Sequence, residues 1–121
     1  MDKSQSMFYL WHDSTGLPCY AEGSVPDDAK LPYVTYETII DSLDSSVMPT
    51  ATVWMRTDSW TPLDEYQSIV ENYIDGGRLI KMDVGSMMVH RGTPFAQRTT
   101  DENDKSIKGY LFNIEVEFLS H

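Results

Sequence analysis

The segment from Tyr110 to Leu119 constrains the fold more than any other part of this sequence. Large apolar residues occupy every second position, and Asn113, Glu115 and Glu117 lie between them. Such alternation is typical of a β-strand with one buried face. The side chains that we expect to enter the core are Tyr110, Phe112, Ile114, Val116 and Phe118.

The residues before this strand are nearly all polar. The block Asp101-Glu102-Asn103-Asp104 lies within the segment Thr99 to Lys108, and these side chains cannot be buried together in a core. Gly92 and Pro94 precede it. We therefore predict a solvated, mobile loop from Thr93 to Lys108 that becomes ordered against a partner. A small protein with such a loop and no catalytic motif more often binds or assembles than catalyses.

The chain of 121 residues is long enough for one domain, over residues 1–121, with a core that needs no disulfides. Its single cysteine, Cys19, has no partner for an intramolecular bridge, and no Asn-x-Ser/Thr triplet occurs. We expect synthesis in a reducing cytoplasm. The apolar runs are short, so we expect neither a signal peptide nor a membrane span.

The net charge of −10 argues against a nucleic-acid-binding protein, because it repels phosphates. The charge is uneven, since the segment from Gly76 to Arg98 contains four basic residues and one acidic residue. Two interpretations stay open for Arg78, Lys81, Arg91 and Arg98. These side chains either protect a solvated strand edge against aggregation or contact an acidic neighbour.

The order of helix and strand patterns predicts an α+β fold. The predicted elements, in chain order, are a helix over 2–13, a looped passage marked by Pro18, Gly23 and Pro26, strands over 31–40 and 51–57 joined by a turn over 41–49, a helix beginning at residue 61, a strand over 79–89 with a bulge or bend at Gly85-Ser86, and the strand over 110–119. This order, α-β-β-α-β-β, predicts a two-layer sandwich in which two helices cover one face of a mainly antiparallel, four-stranded sheet.

The second helix has the most complete set of helix signals. Thr61 suits the N-cap, Pro62 suits the first helical position, and Gly76-Gly77 can end the helix. Its predicted buried stripe consists of Leu63, Tyr66, Ile69, Val70, Tyr73 and Ile74.

Two aromatic residues on the predicted strands point away from the core. Alternation puts Tyr33 on the face opposite to Val34, and Trp54 on the face opposite to Val53. Large exposed aromatic side chains on a sheet commonly contact a partner. The alternative is that a second helix layer covers them.

The sequence offers little for catalysis or metal binding. The candidate groups are Cys19, His12-Asp13, His90 and His121, and none lies within a recognisable catalytic or zinc-binding pattern. A calcium loop beginning at Asp101 fails at Lys105, where an oxygen ligand is required. We predict that the protein is not an enzyme and binds no cofactor or metal.

Several short strings give the chain a resemblance to a known family. They are Leu31-Pro32-Tyr33-Val34-Thr35-Tyr36-Glu37, the strand from Ala51 to Thr57, the helix from Thr61, Arg91-Gly92-Thr93-Pro94-Phe95 with Gln97, and the acidic loop leading into the strand from Gly109 to Leu119. From about Tyr20 onward the chain resembles the tail terminator, or tail completion, proteins of long, non-contractile-tailed bacteriophages. The first helix is shorter than the family's usual one.

This resemblance implies a structural role in the virion. Members of the family form hexameric rings that cap the tail tube, stop its growth and meet the head-completion proteins, and DNA passes through the lumen without specific binding. It implies a location at the head-proximal end of the tail, after assembly in the host cytoplasm, with no membrane contact. The residues that we expect at the subunit or tube interface are Tyr33, Trp54, Arg91, Phe95, Gln97, Arg98, Asp101, Glu102 and Asp104.

Two other functions stay open. A head-tail connector adaptor is the nearer alternative, a component of a different ring. A small acidic inhibitor that mimics DNA would instead be a monomer or dimer that binds a basic host protein.

Overall fold

The computed structural model describes residues 2–38, 46–83 and 85–119, which form an α+β fold of two helices and seven strands. The elements are α1 (Lys3–Thr15), β1 (Cys19–Ala21), β2 (Tyr33–Tyr36), β3 (Ser46–Val47), β4 (Thr50–Arg56), α2 (Thr61–Ile74), β5 (Arg78–Lys81), β6 (Ser86–Thr100) and β7 (Ile107–Leu119).

One sheet contains all seven strands. Its order is β1-β2-β4-β7-β6-β5, and β3 pairs with β7 near the end of that strand. The β1 and β2 strands are parallel, and the other pairs are antiparallel. The predicted α+β class is confirmed, whereas the prediction of four strands was too low. The β1 and β3 strands have three and two residues, so neither is long enough to show a periodic pattern.

Both helices pack against the same face of the sheet. The α1 helix contacts it through Trp11, whose ring centroid lies 6.0 Å from that of Phe112. Of the five predicted inward-facing residues of the long strand, Tyr110, Phe112, Ile114 and Val116 are buried, and Phe118 is partly buried. The core also contains Met7, Leu10, Val34, Tyr36, Ala51, Val53, Leu63, Val70, Ile74, Met87 and Val89.

The helices begin and end close to their predicted bounds. Asp2 caps α1 by accepting a hydrogen bond from the Gln5 backbone, and Gly16 ends it with φ at 71°. The N-cap of α2 is Trp60, one residue before the predicted Thr61. Ile69 was predicted to be buried but is 44% exposed.

The predicted strand over 79–89 is wrong. A turn divides it into β5 and β6, with the Met82 N–H donating to the Gly85 carbonyl at 3.1 Å. Gly85 has φ at 81°, which residues with a side chain rarely adopt. The change of parity that suggested a bulge or bend at Gly85-Ser86 marks this turn between two strands.

The predicted loop from Thr93 to Lys108 is also wrong. The β6 strand continues to Thr100, and residues 101–106 alone connect it to β7. The irregularity lies between Arg91 and Ala96, where the pairing with β7 shifts register. Pro94 and the polar residues from Gln97 to Thr100 hid this part of the strand, because neither of its faces carries a regular apolar pattern there.

The predicted faces of β2 and β4 are confirmed. Val34 and Val53 are buried, and Tyr33 pairs with Trp54 on the other side. Ile39, Ile40 and Val84, and positions 41–45 of the predicted turn, lie outside the described residues, while Ser46–Val47 of that turn forms β3.

Candidate interaction surface

The face of the sheet opposite the helices, here called the open face, is the candidate functional surface. Neither described helix packs on it. Strand register places on it Tyr20, Tyr33, Thr35, Thr50, Thr52, Trp54, Leu79, Lys81, Met88, His90, Gln97, Thr99, Gly109, Leu111, Asn113, Glu115 and Glu117. Their mixed polar, aromatic and acidic character differs sharply from the apolar face beneath the helices.

Three aromatic residues, here called the aromatic corner, lie together on β1, β2 and β4. Tyr20 and Tyr33 meet edge to face with their ring centroids 5.6 Å apart. Trp54 pairs with Tyr33 across the strands and donates from Nε1 to the Thr35 hydroxyl at 3.0 Å. All three are half-buried. The corner therefore presents fixed ring surfaces to the solvent.

Gly109 brings Trp54 close to the backbone of β7. A Cβ at Gly109 would lie 2.9 Å from Trp54 Cε3 and 2.9 Å from Thr52 Cγ2. Real side-chain atoms do not approach each other this closely. Any residue other than glycine at position 109 would therefore require its neighbours to move. The indole of Trp54 fills the space that the missing side chain leaves.

Three acidic side chains, here called the acidic half, lie toward the end of the open face opposite the aromatic corner. Glu115 and Glu117 are exposed on β7, and His90 pairs with Glu115 from β6. Glu37 follows β2, and its Oε1 accepts a hydrogen bond from the Thr50 N–H at 3.0 Å. The Thr50 hydroxyl also donates to this carboxylate. The acidic half therefore gives this end of the face a negative potential.

The connection between β6 and β7, here called the hairpin tip, is held by its own carboxylates. Asp101 accepts hydrogen bonds from the Asn103 and Asp104 backbone at 2.8 and 3.1 Å. Asp104 accepts from the Ser106 hydroxyl and lies 2.7 Å from the Arg56 guanidinium. These contacts lower the pKa of Asp104 to about 2, with the Ser106 hydrogen bond as the largest cause.

Arg98 lies on the helix side of the sheet. Its guanidinium carbon is 4.8 Å from the centroid of the Trp60 ring, and its Nε donates to the Tyr110 hydroxyl at 3.1 Å. Asp64 on α2 accepts from that hydroxyl and lies 3.4 Å from Arg98. Arg98 therefore joins α2 to the sheet within one chain.

The nine predicted interface residues do not form one patch. Tyr33, Trp54, Gln97 and Arg98 lie near the end of the sheet that carries Asp101, Glu102 and Asp104, although Arg98 is on the opposite face. The other two are farther along β6. Arg91 forms an ion pair with Glu71 of α2 at 2.6 Å, and Phe95 packs on Phe112 with a centroid distance of 5.4 Å.

The candidate catalytic groups show no catalytic arrangement among the residues that the structure describes. Cys19 is buried, which raises the pKa of its thiol to about 12, so the nucleophilic thiolate is scarce at neutral pH. The described ranges contain no group of three or more His, Cys, Asp or Glu side chains that could hold a metal ion. His121 lies outside them.

No helix within residues 2–38, 46–83 and 85–119 has the length and apolar character needed to cross a membrane. A scan of the sequence against models of known protein families gives no match, and a search of curated proteins gives none either.

Several residues of the surface escaped the sequence prediction. Alternation along β7 already indicated that Glu115 and Glu117 point away from the core, and this signal was sufficient to include them. Asp64 carried no such signal, because its contacts with Tyr110 and Arg98 join positions far apart in the sequence.

Proposed function

We propose that this chain is a structural virion protein that forms a hexameric ring, caps the phage tail tube, ends its polymerisation and joins the tail to the head-completion proteins. The resemblance to tail terminator proteins indicates this functional class. The observation that carries the proposal is the open face of the sheet, because it combines fixed aromatic rings with the exposed carboxylates of Glu115 and Glu117.

The acidic half of the open face lines the lumen in this proposal. Glu115 and Glu117 are exposed on the open face, and both carboxylates point away from the helices. Negative charge repels the phosphates of DNA, so the genome can pass without being held. The net charge of −10 acts in the same direction at long range.

The end of the sheet that carries the hairpin tip contacts the tail tube in this proposal. Tyr33 and Trp54 supply aromatic surface with limited freedom, which favours interface cores. Glu102 is exposed on the hairpin tip at the same end of the sheet and supplies a polar rim in this proposal. The hydrogen bonds of Asp101 and Asp104 order the tip in advance, which lowers the entropy lost on binding.

The subunit contacts in this proposal do not depend on Arg91, Arg98 or Asp104. Arg91 is paired with Glu71, Arg98 with Asp64, and Asp104 with Arg56, all within one chain. These basic residues are therefore engaged before a neighbouring subunit arrives.

A tube-growth assay tests the function. Tube protein of the same phage is allowed to polymerise while light scattering follows the length of the tubes, and the chain is added below the concentration of tube protein. We expect growth to stop, and electron microscopy should show a ring at one end of each tube. Undiminished growth with all of the chain left in solution would contradict the proposal.

Two pairs of variants locate the tube contact. Tyr33→Ala and Glu102→Lys should weaken capping, because both change the end of the sheet that carries the hairpin tip. Phe8→Ala and Glu65→Lys change exposed residues on α1 and α2 and should leave capping unchanged. If all four variants changed capping equally, the tube contact would lie elsewhere.

A further inference from the structure

The main strand order of the sheet ends in β1 on one side and β5 on the other, and the two-residue β3 lies off this path beside β7. Within the described part of the chain no further strand pairs with β1 or β5. Edge strands present unpaired backbone groups and readily accept another strand. Because the proposed ring needs a contact that repeats from one copy to the next, we asked whether these two edges fit each other.

The outward backbone groups of β5 belong to Leu79 and Lys81. Met82 and Gly85 form a hydrogen-bonded pair at the turn. Hydrogen-bonded and non-hydrogen-bonded pairs alternate along antiparallel strands. Ile80 and Arg78 therefore bond to β6, and the N–H and carbonyl groups of Leu79 and Lys81 point to the free side.

The outward groups of β1 belong to Cys19 and Ala21. Val34 donates to the Pro18 carbonyl at 2.9 Å, and Glu22 donates to the Tyr36 carbonyl at 2.9 Å. The even-numbered positions of this parallel pair therefore face β2. The Ala21 carbonyl accepts from Ser24 at 3.0 Å, which leaves the Cys19 carbonyl and the Ala21 N–H for a neighbour.

The two edges run in the same direction. Between β1 and β5 the sheet contains one parallel pairing and four antiparallel pairings, so the direction is reversed an even number of times. A second copy that keeps its open face on the same side therefore presents its β1 parallel to the first copy's β5. Such a head-to-tail contact is heterologous, and rotation can close it into a ring.

We propose that β5 of one copy pairs in parallel with β1 of the next copy, so that the sheet continues from subunit to subunit. In this register Arg78 lies opposite Cys19, Leu79 opposite Tyr20, Ile80 opposite Ala21 and Lys81 opposite Glu22. The Leu79 N–H donates to the Cys19 carbonyl, and the Ala21 N–H donates to the Leu79 carbonyl. This inference rests on the proposed ring and names its subunit contact.

The side chains agree with this register. Leu79, 51% exposed, and Tyr20 both lie on the open face, so the pairing joins their apolar surfaces. Lys81 and Glu22 are exposed and fall on the same face, and neither forms an ion pair within the described residues. A cation therefore meets an anion at the end of the pairing.

Pairing between like edges is less favourable. If two β5 strands paired with each other, both copies of Arg78 and Lys81 would lie close together, because each strand has only four residues. Two β1 strands would bring together Glu22, Asp27 and Asp28 of both copies, with Lys30 as the only base in that segment. Like charges in such positions oppose association, so the charges favour the head-to-tail contact over a two-fold dimer.

Sedimentation velocity over a wide concentration range tests the backbone contact. Leu79→Pro removes the outward N–H donor but no hydrogen bond to β6, and proline is tolerated on edge strands. Loss of one hydrogen bond should raise the concentration needed for assembly by about tenfold. Leu79→Ala keeps the donor and should raise it less. Thermal unfolding of each variant checks that the fold is retained.

Charge reversal tests the partner and the register. Lys81→Glu and Glu22→Lys should each weaken assembly about twofold to fivefold, because each puts like charges in contact. An equimolar mixture of the two variants should assemble as well as the original chain, since every contact in an alternating ring then joins opposite charges.

The outcomes separate this inference from the proposed function. If the original chain caps tubes while Leu79→Pro and the charge variants assemble normally, the ring uses other surfaces and the edge contact is wrong. If the variants behave as expected but the assemblies ignore tubes, the edge contact holds and the tail function fails. A chain that remains monomeric at every concentration overturns the edge contact.

Discussion

Replacing Gly109 with alanine is expected to destabilise the fold, because three neighbouring side chains already occupy the space above it. The new Cβ would lie 2.9 Å from Thr52 Cγ2, 2.9 Å from Trp54 Cε3 and 3.1 Å from Thr99 Cγ2. The two threonines are β-branched and have few alternative rotamers. Relief of the contacts therefore requires movement of the indole or of the backbone.

The expected cost follows from two opposing effects. A strand glycine replaced by alanine normally gains about 0.5 to 1 kcal/mol, because the unfolded chain loses freedom. Overpacking of a filled site costs about 1 to 3 kcal/mol. We expect a net loss of about 0.5 to 2 kcal/mol in the free energy of unfolding, and each 1 kcal/mol lowers Tm by about 3 to 6 °C in a chain of this length.

Thermal and urea unfolding measure the effect against a matched control. Gly76→Ala meets nothing within 4 Å and should change stability by less than about 0.5 kcal/mol. In a Trp54→Leu background the cost of Gly109→Ala should fall, because the Cε3 contact is gone. A gain of stability from Gly109→Ala, or an identical cost in both backgrounds, would refute the reasoning.

Three further outcomes are expected. Phe112→Ala should cost about 3 to 5 kcal/mol in urea unfolding, because Phe112 is 0% exposed between Trp11, Phe95 and Tyr110, whereas Phe8→Ala, at a site 41% exposed, should cost far less. The pKa of Asp104 falls from 3.8 to about 2 on folding, so its contribution is present above pH 4 and disappears as the pH falls toward 2. Carboxyl chemical shifts should therefore give a midpoint near 2, and a midpoint near 4 would show that the hairpin tip does not form these bonds. Iodoacetamide should modify Cys19 at pH 8 only after urea unfolds the chain, because burial raises the pKa of this thiol, and rapid modification of the folded chain would contradict its burial.

The sequence predicted those elements whose apolar residues repeat with a clear period. The β7 strand and its buried face followed from Tyr110, Phe112 and Ile114, and the helix predicted over 2–13 lies close to the observed α1. The second half of the β6 strand was missed because it contains Pro94 and is polar on both faces from Gln97 onward. Arg98 occupies an inward-facing position there by laying its guanidinium over Trp60, and a charged residue gives no apolar signal.

The surface was predictable only in part, for a related reason. Tyr33 and Trp54 were identified because alternation within one strand fixes the face of each side chain. Their neighbour Tyr20 lies on a strand of three residues whose existence depends on pairing with β2. The partners of Arg91 and Arg98 lie on α2, and local sequence carries no information about which helix crosses which strand.

Cryo-electron microscopy of the chain bound to tail tubes tests the central claim most directly. Six copies of the 13.8-kDa chain give a ring of about 83 kDa. We predict a six-fold ring at one tube end, with the open face and Glu115 and Glu117 toward the lumen and both helices outside. A tube end without added density, or a ring whose lumen is lined by α1 and α2, would contradict the account.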